Sequence, residues 1–157
     1  MGTFNDKIEA EFDPPRKWIL SRALTYTNPD IDEDALELDG VPPVTDSTIT
    51  VGKDFVTDLA SVPRMCWAFM APWDVARAAI IHDLLYKRIR QYRKAHRKSL
   101  KCSEDPKVIG DAKKASDDVF HMAMKDANPS VAGWKIAAAY YSVKMFGRWS
   151  IIPRKED

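Results

Sequence analysis

Cysteine is nearly missing from this chain. Cys66 and Cys102 are the only two in 157 residues, and neither has a C-x-x-C or zinc-knuckle neighbour. A disulfide scaffold is excluded, and two lone thiols fit a reducing compartment. Glycine is scarce too, with six residues and none between Gly52 and Gly110. No apolar stretch approaches the roughly 20 residues that a spanning helix needs, so no transmembrane segment is expected. No early apolar run follows a basic start, so no signal peptide is expected either. Whole-chain disorder is excluded by an apolar content of 45% and a net charge of +1. At this length a chain buries enough surface for one core, so residues 1–157 read as a single domain.

The near-neutral charge conceals two opposed tracts. Residues 28–39 carry Asp30, Asp32, Glu33, Asp34, Glu37 and Asp39 without a base. Residues 87–101 carry eight Lys and Arg without an acid. Such tracts are either water-facing surfaces of ordinary elements or faces that meet a charged partner. For the basic tract, nucleic acid is the disfavoured partner. Aromatic interleaving is limited to Tyr92, and no recognised nucleic-acid-binding motif is present.

The periodicity changes along the chain. Residues 1–58 read as strands and loops, with candidate strands at 16–26 and 47–57 and a short pairing near 36–38, separated by Asn28-Pro29, Gly40 and Pro42-Pro43. Residues 74–147 read as helical. A first helix is predicted from Asp74, as N-cap, to about residue 97, with Val75, Ala78, Ala79, Leu85, Tyr86, Ile89 and Tyr92 on its inner stripe. After a loop containing Pro106, a second helix is predicted over about 108–127. A third runs from near Ser130 to Gly147, read as a C-terminal glycine. This third helix is apolar nearly all round, the pattern of a helix buried in a bundle or against a partner. Strands followed by helices define an α+β fold: a small N-terminal antiparallel sheet, then three main helices.

Two polar residues interrupt the apolar stripes. His82 lies on the inner stripe of the first helix, and Asp117 on that of the second, ahead of Phe120 and Met124. Buried polar groups need partners, and a short connection packs these helices antiparallel. An imidazole-to-carboxylate bond satisfies both residues and leaves the second ring nitrogen as a base. Tyr86, one turn on, is placed to add a bond to the carboxylate. Asp83 turns by about 100° toward a cleft or cation. A purely structural His–Asp pair that registers two helices remains the alternative. Before the first helix, TDLASVPR brings Asp58, Ser61 and Arg64 to a strand end, a common way to line a cleft. A side-chain turn with a surface ion pair is the alternative there. Ser61 lacks the G-x-S-x-G context of a nucleophile. His96 is expected to be exposed, and His121 either joins the Asp117 network or flanks it.

The segments FVTDLASVPR, ARAAIIHDLLY, SDDVFHMAM and YYSVKMFGRW resemble a domain-of-unknown-function family of tailed bacteriophages and prophages, over roughly residues 50–149. That resemblance implies a phage product acting in the host cytoplasm or carried in the virion. The helix pair, H-D-x-x-Y followed by D-x-x-F, also resembles the catalytic hairpin of phospholipases of the A-two type. This second resemblance implies His82 as the water-activating base, Asp117 as its orienter, Tyr86 as support and Asp83 as a calcium ligand; outside the resemblance, Asp58 is the candidate for a second ligand. Calcium would polarise the ester carbonyl. The enzymes in question carry a glycine-rich calcium loop before the helix, where this chain has MCWAFMAPWDVARAA. Two functions from different classes follow. One is a metal-assisted hydrolase of phospholipid or cell-envelope esters. The other is a non-catalytic virion accessory protein, such as a tail or baseplate component, bound to other virion proteins.

Overall fold

Both long β-rich runs break in the middle, and the breaks face each other. The computed structural model describes residues 1–5, 7–14, 17–39, 43–58, 72–98, 105–127 and 130–155. The run read as one strand over 16–26 is β3 (Lys17–Leu20) and β4 (Leu24–Thr27); the run over 47–57 is β6 (Thr48–Val51) and β7 (Val56–Thr57). Leu20 donates its N–H to Phe55 and accepts that of Asp54, at 3.0 and 2.8 Å, so the corners are tied together. Asp54 has φ 66°, in the left-handed region where a sharp bend is made. The runs therefore divide between two antiparallel sheets. One has the order β1 (Thr3–Phe4), β4, β6, β5 (Val44–Thr45); the other has β2 (Ala10–Asp13), β3, β7.

The β5–β6 hairpin pairs Thr45 with Thr48 across a two-residue loop. Both loop residues, Asp46 and Ser47, have positive φ, which matches the right-handed twist of the flanking strands. Glu33 of the short helix α1 (Glu33–Leu36) clamps this turn, accepting the Ser47 N–H at 2.8 Å. The pairing expected near 36–38 is a single bridge at Leu38, after α1.

The three main helices are α2 (Pro72–Lys98), α3 (Pro106–Lys125) and α4 (Gly133–Ser150), which with the sheets make the α+β arrangement expected. Three boundaries differ from expectation. Asp74 lies inside α2 rather than capping it, because Pro72 suits the first helical turn. Asp105 caps α3 by accepting the Lys107 N–H, with Pro106 as its first residue rather than part of a loop. Gly147 does not end α4, which continues to Ser150. Asn128 and Pro129, the expected stop after the second helix, lie outside the described residues.

Contacts run in opposite directions along α2 and α3: His82 meets Phe120, while Tyr86 reaches back to Asp117. The pair is antiparallel, as its short connection requires. The core joins the inner faces of the first sheet (Leu24, Tyr26, Val44, Ile49, Val51) to Ala78, Ile81, Leu85, Val119, Phe120 and Ala139. Helix α4 buries only Ile136, Ala139, Val143 and Gly147, so it lies on the outside of the bundle and not at its centre. Among the described residues, no helix is long and apolar enough to cross a membrane.

Candidate functional site

His82, Tyr86 and Asp117 meet in the interior between α2 and α3. The His82 Nε2 lies 3.0 Å from Asp117 Oδ1, and the Tyr86 hydroxyl donates to the same oxygen at 2.6 Å. Lys113, one turn before Asp117 on α3, donates its ammonium to Oδ2 at 2.6 Å. Asp117 thus accepts three hydrogen bonds, of which the one from Lys113 is also an ion pair. Burial alone would raise its pKa, but His82, Lys113 and Tyr86 together hold it below the usual carboxylate value. The same burial, reinforced by the Asp117 charge, pushes the Tyr86 phenol up, so it stays a protonated donor.

The His82 imidazole is 0% exposed. It lies against Tyr86, with ring centroids 3.9 Å apart, and Phe120, at 4.9 Å. Burial lowers its pKa against the opposing pull of Asp117, so the ring is neutral near pH 7. An ionised carboxylate can only accept, so the ring proton sits on Nε2 and the lone pair on Nδ1. Among the described residues, that Nδ1 is buried without a hydrogen-bond partner. Nearly all buried side-chain nitrogens are paired, and the exceptions call for an explanation.

The other expected site residues divide. Asp83 turns away from Asp117 and accepts a hydrogen bond from the Thr57 hydroxyl at the end of β7. Burial pushes its pKa up to about 7; the Thr57 bond opposes this, neighbouring Asp58 adds to it, and Arg90 and Arg154 work against it. Asp58 forms an ion pair with Arg154 at 3.8 Å. Calcium takes six to eight oxygen ligands. Among the described residues no group of three or more His, Cys, Asp or Glu is arranged to hold a metal. Asp83 and Asp58, facing a hydroxyl and two arginines, do not by themselves fit a calcium ion. Ser61 and Arg64 lie outside the described residues.

The remaining histidines stand apart. His121 stacks on Tyr140 at 4.6 Å instead of joining Asp117. His96 is largely covered rather than exposed, with Nε2 3.4 Å from Asp39 and Nδ1 2.8 Å from the Tyr92 carbonyl. The basic tract is partly occupied as well: Arg90 and Arg93 donate to the Ser150 and Ile151 carbonyls at 3.2 and 3.0 Å. These cations satisfy the carbonyl end of α4, where a helix dipole favours positive charge. The acidic tract lines a groove of about 430 Å³ with α3, formed by Asp30, Asp32, Asp34, Asp111, Lys114 and Asp118.

Two further residues take part in the site, one absent from the sequence expectations and one expected only as a helix end. Lys113 was detectable as a base four residues before Asp117 on the same helix. Gly147 carries a different signal, since a Cβ there would overlap the Tyr86 hydroxyl and lie 3.1 Å from its Cζ. The glycine lets α4 approach closely enough to enclose Tyr86.

Fold and site together define an α+β protein with a buried His–Asp–Tyr–Lys network across a helix hairpin. The chain belongs to the family described as Protein of unknown function (DUF1353), whose model matches residues 41–143, about two thirds of its length. Searches of curated proteins and of solved structures gave no match.

Proposed function

We propose that this protein is a hydrolase of phospholipid or cell-envelope esters, with His82 as general base. The observation that carries the reading is the unpartnered Nδ1 of a histidine whose other nitrogen is fixed by Asp117. In this reaction Nδ1 takes a proton from water as the water oxygen attacks the ester carbonyl. The resulting imidazolium is stabilised by Asp117 and returns the proton to the leaving alkoxide, releasing an alcohol and an acid. Asp117, Tyr86 and Lys113 act as positioning residues. The hairpin resemblance assigns Asp83 to a divalent cation, with Asp58 as our own candidate for a second ligand, so calcium, magnesium and chelator are separate arms of the assay. The setting we propose is a tailed-phage gene product, in the infected cell or the virion.

The experiment is an ester panel, including phosphatidylglycerol and phosphatidylcholine, with the parent and His82→Gln proteins. The expected result is turnover by the parent and a loss of at least about 100-fold in kcat for the variant, the lower range for a general base. Inactivity of the parent in every arm, or full activity of a folded His82→Gln variant, would falsify it.

The complete enclosure of the imidazole by Tyr86, Phe120 and their neighbours favours a second reading. There the network registers α2 on α3 in a non-catalytic virion accessory protein. Mass spectrometry of purified virions tests this reading: stoichiometric abundance supports it, and absence removes it.

A further inference from the structure

Helix α4 presents four of its five aromatic residues to solvent, all but Tyr140. Of the nine large apolar side chains that stand exposed among the described residues, six fall between Trp134 and Ile152. Trp134, Tyr141 and Trp149 are 59%, 61% and 61% exposed, and Met145 lies between the last two. At 100° per residue, Trp134, Tyr141, Met145 and Trp149 fall within one stripe about 80° wide. The stripe is opposite the buried Ile136, Ala139 and Val143. Lys144 and Arg148 border it on one side, and Lys135 lies on the other. From Ala127 through Lys155 there are five bases and no acid.

We infer that this face of α4 docks on an anionic lipid surface. Two copies pairing through it would bring bases against bases with no acid to offset them, which disfavours a second copy as the occupant. The face is a convex helix ridge rather than a groove, so a bilayer interface covers it without needing a shaped pocket. Tryptophan and tyrosine settle at headgroup level, and flanking Lys and Arg meet the lipid phosphates. The apolar stripe supplies burial, and the bordering bases select negative charge. This docking does not depend on His82 chemistry, and ether-linked lipids, which no esterase cleaves, keep the two apart.

The test is co-sedimentation of the full chain with ether-lipid vesicles of phosphatidylglycerol and phosphatidylcholine, against phosphatidylcholine alone. Expected are binding to the anionic vesicles only, a loss of at least about tenfold in partitioning at 0.5 M salt, and a blue shift of tryptophan emission. The pair Trp134→Ser and Trp149→Ser should lower partitioning at least about tenfold, as should Lys144→Glu with Arg148→Glu, each with unchanged circular dichroism. The inference is overturned if the parent ignores anionic vesicles, or if the tryptophan variant binds as well as the parent. It is equally overturned if sedimentation equilibrium shows a dimer that Trp149→Ser dissolves while vesicles are not bound.

Discussion

Replacing Gly147 with alanine should destabilise this protein, although the same change in an exposed helix stabilises. Alanine is preferred over glycine inside a helix by about 1 kcal/mol. Here the added methyl would overlap the Tyr86 hydroxyl and press on Tyr86 Cζ at 3.1 Å and Lys113 Cε at 3.3 Å. The Tyr86 ring cannot move aside freely, because it lies on His82 and its hydroxyl donates to Asp117 at 2.6 Å. Overpacking costs about 1–3 kcal/mol, and displacing a hydrogen bond to a charged group costs a further ~1.5–3 kcal/mol. Against the helix preference, the net loss is about 1.5–5 kcal/mol. Urea denaturation of the parent, Gly147→Ala, Tyr86→Phe and the double variant measures it. In the Tyr86→Phe background the methyl meets no hydroxyl, so its cost should fall by at least about 1 kcal/mol, a coupling well beyond that of distant sites. A Gly147→Ala protein more stable than the parent, or strictly additive costs, would refute this account.

Two further outcomes follow from other anchors. Asp126 Oδ2 accepts the Gly2 N–H, the Tyr26 hydroxyl and the Asn28 amide at 2.8, 2.7 and 3.0 Å; Asp126→Ala strands these donors and should cost about 2–4 kcal/mol, with faster amide exchange at residues 2–5. Asp83 titrates in the folded state at about 7 against an ordinary 3.8, so the native state holds the extra proton between those values, and stability falls as pH rises through that window. Asp83→Asn removes the effect: its melting midpoint should match the parent's near pH 4 and exceed it above pH 7. The gain is at most about 4 kcal/mol at 1.36 kcal/mol per pKa unit, and equal midpoints at pH 8 would exclude it.

The helices were legible because their apolar residues recur at 3.6, and the same pattern marked His82 and Asp117 as polar residues on inner stripes. Antiparallel packing then brings them together, as found. Boundaries were less legible, because a glycine near a helix end carries two meanings. Gly147 reads as a terminator by local rules, but its role is set by Tyr86, 61 positions away in the chain. The strands were found where expected, but their breaks were illegible for a similar reason. An alternating run carries no mark of where it changes sheets, and the corners at Leu20 and Asp54 exist only because each completes the other's hydrogen bonds. Asp46-Ser47 is a weak hairpin signal beside Asn-Gly, so that turn left little trace in the sequence. The exposure of α4 was hidden because composition cannot separate a helix covered by its own fold from one awaiting a partner.

The pairing of β4 with β6 bears on what the family match means physically. Residues 41–143 include β6 but not β4, and stop before Gly147. A fragment cut to those limits would keep His82, Tyr86 and Asp117 while exposing a bare strand edge and removing Gly147 and the end of α4 from over Tyr86. Such an edge invites pairing with other chains. The span of the family match is therefore smaller than what must fold together in this chain: the flanking segments complete the sheet and the enclosure of Tyr86.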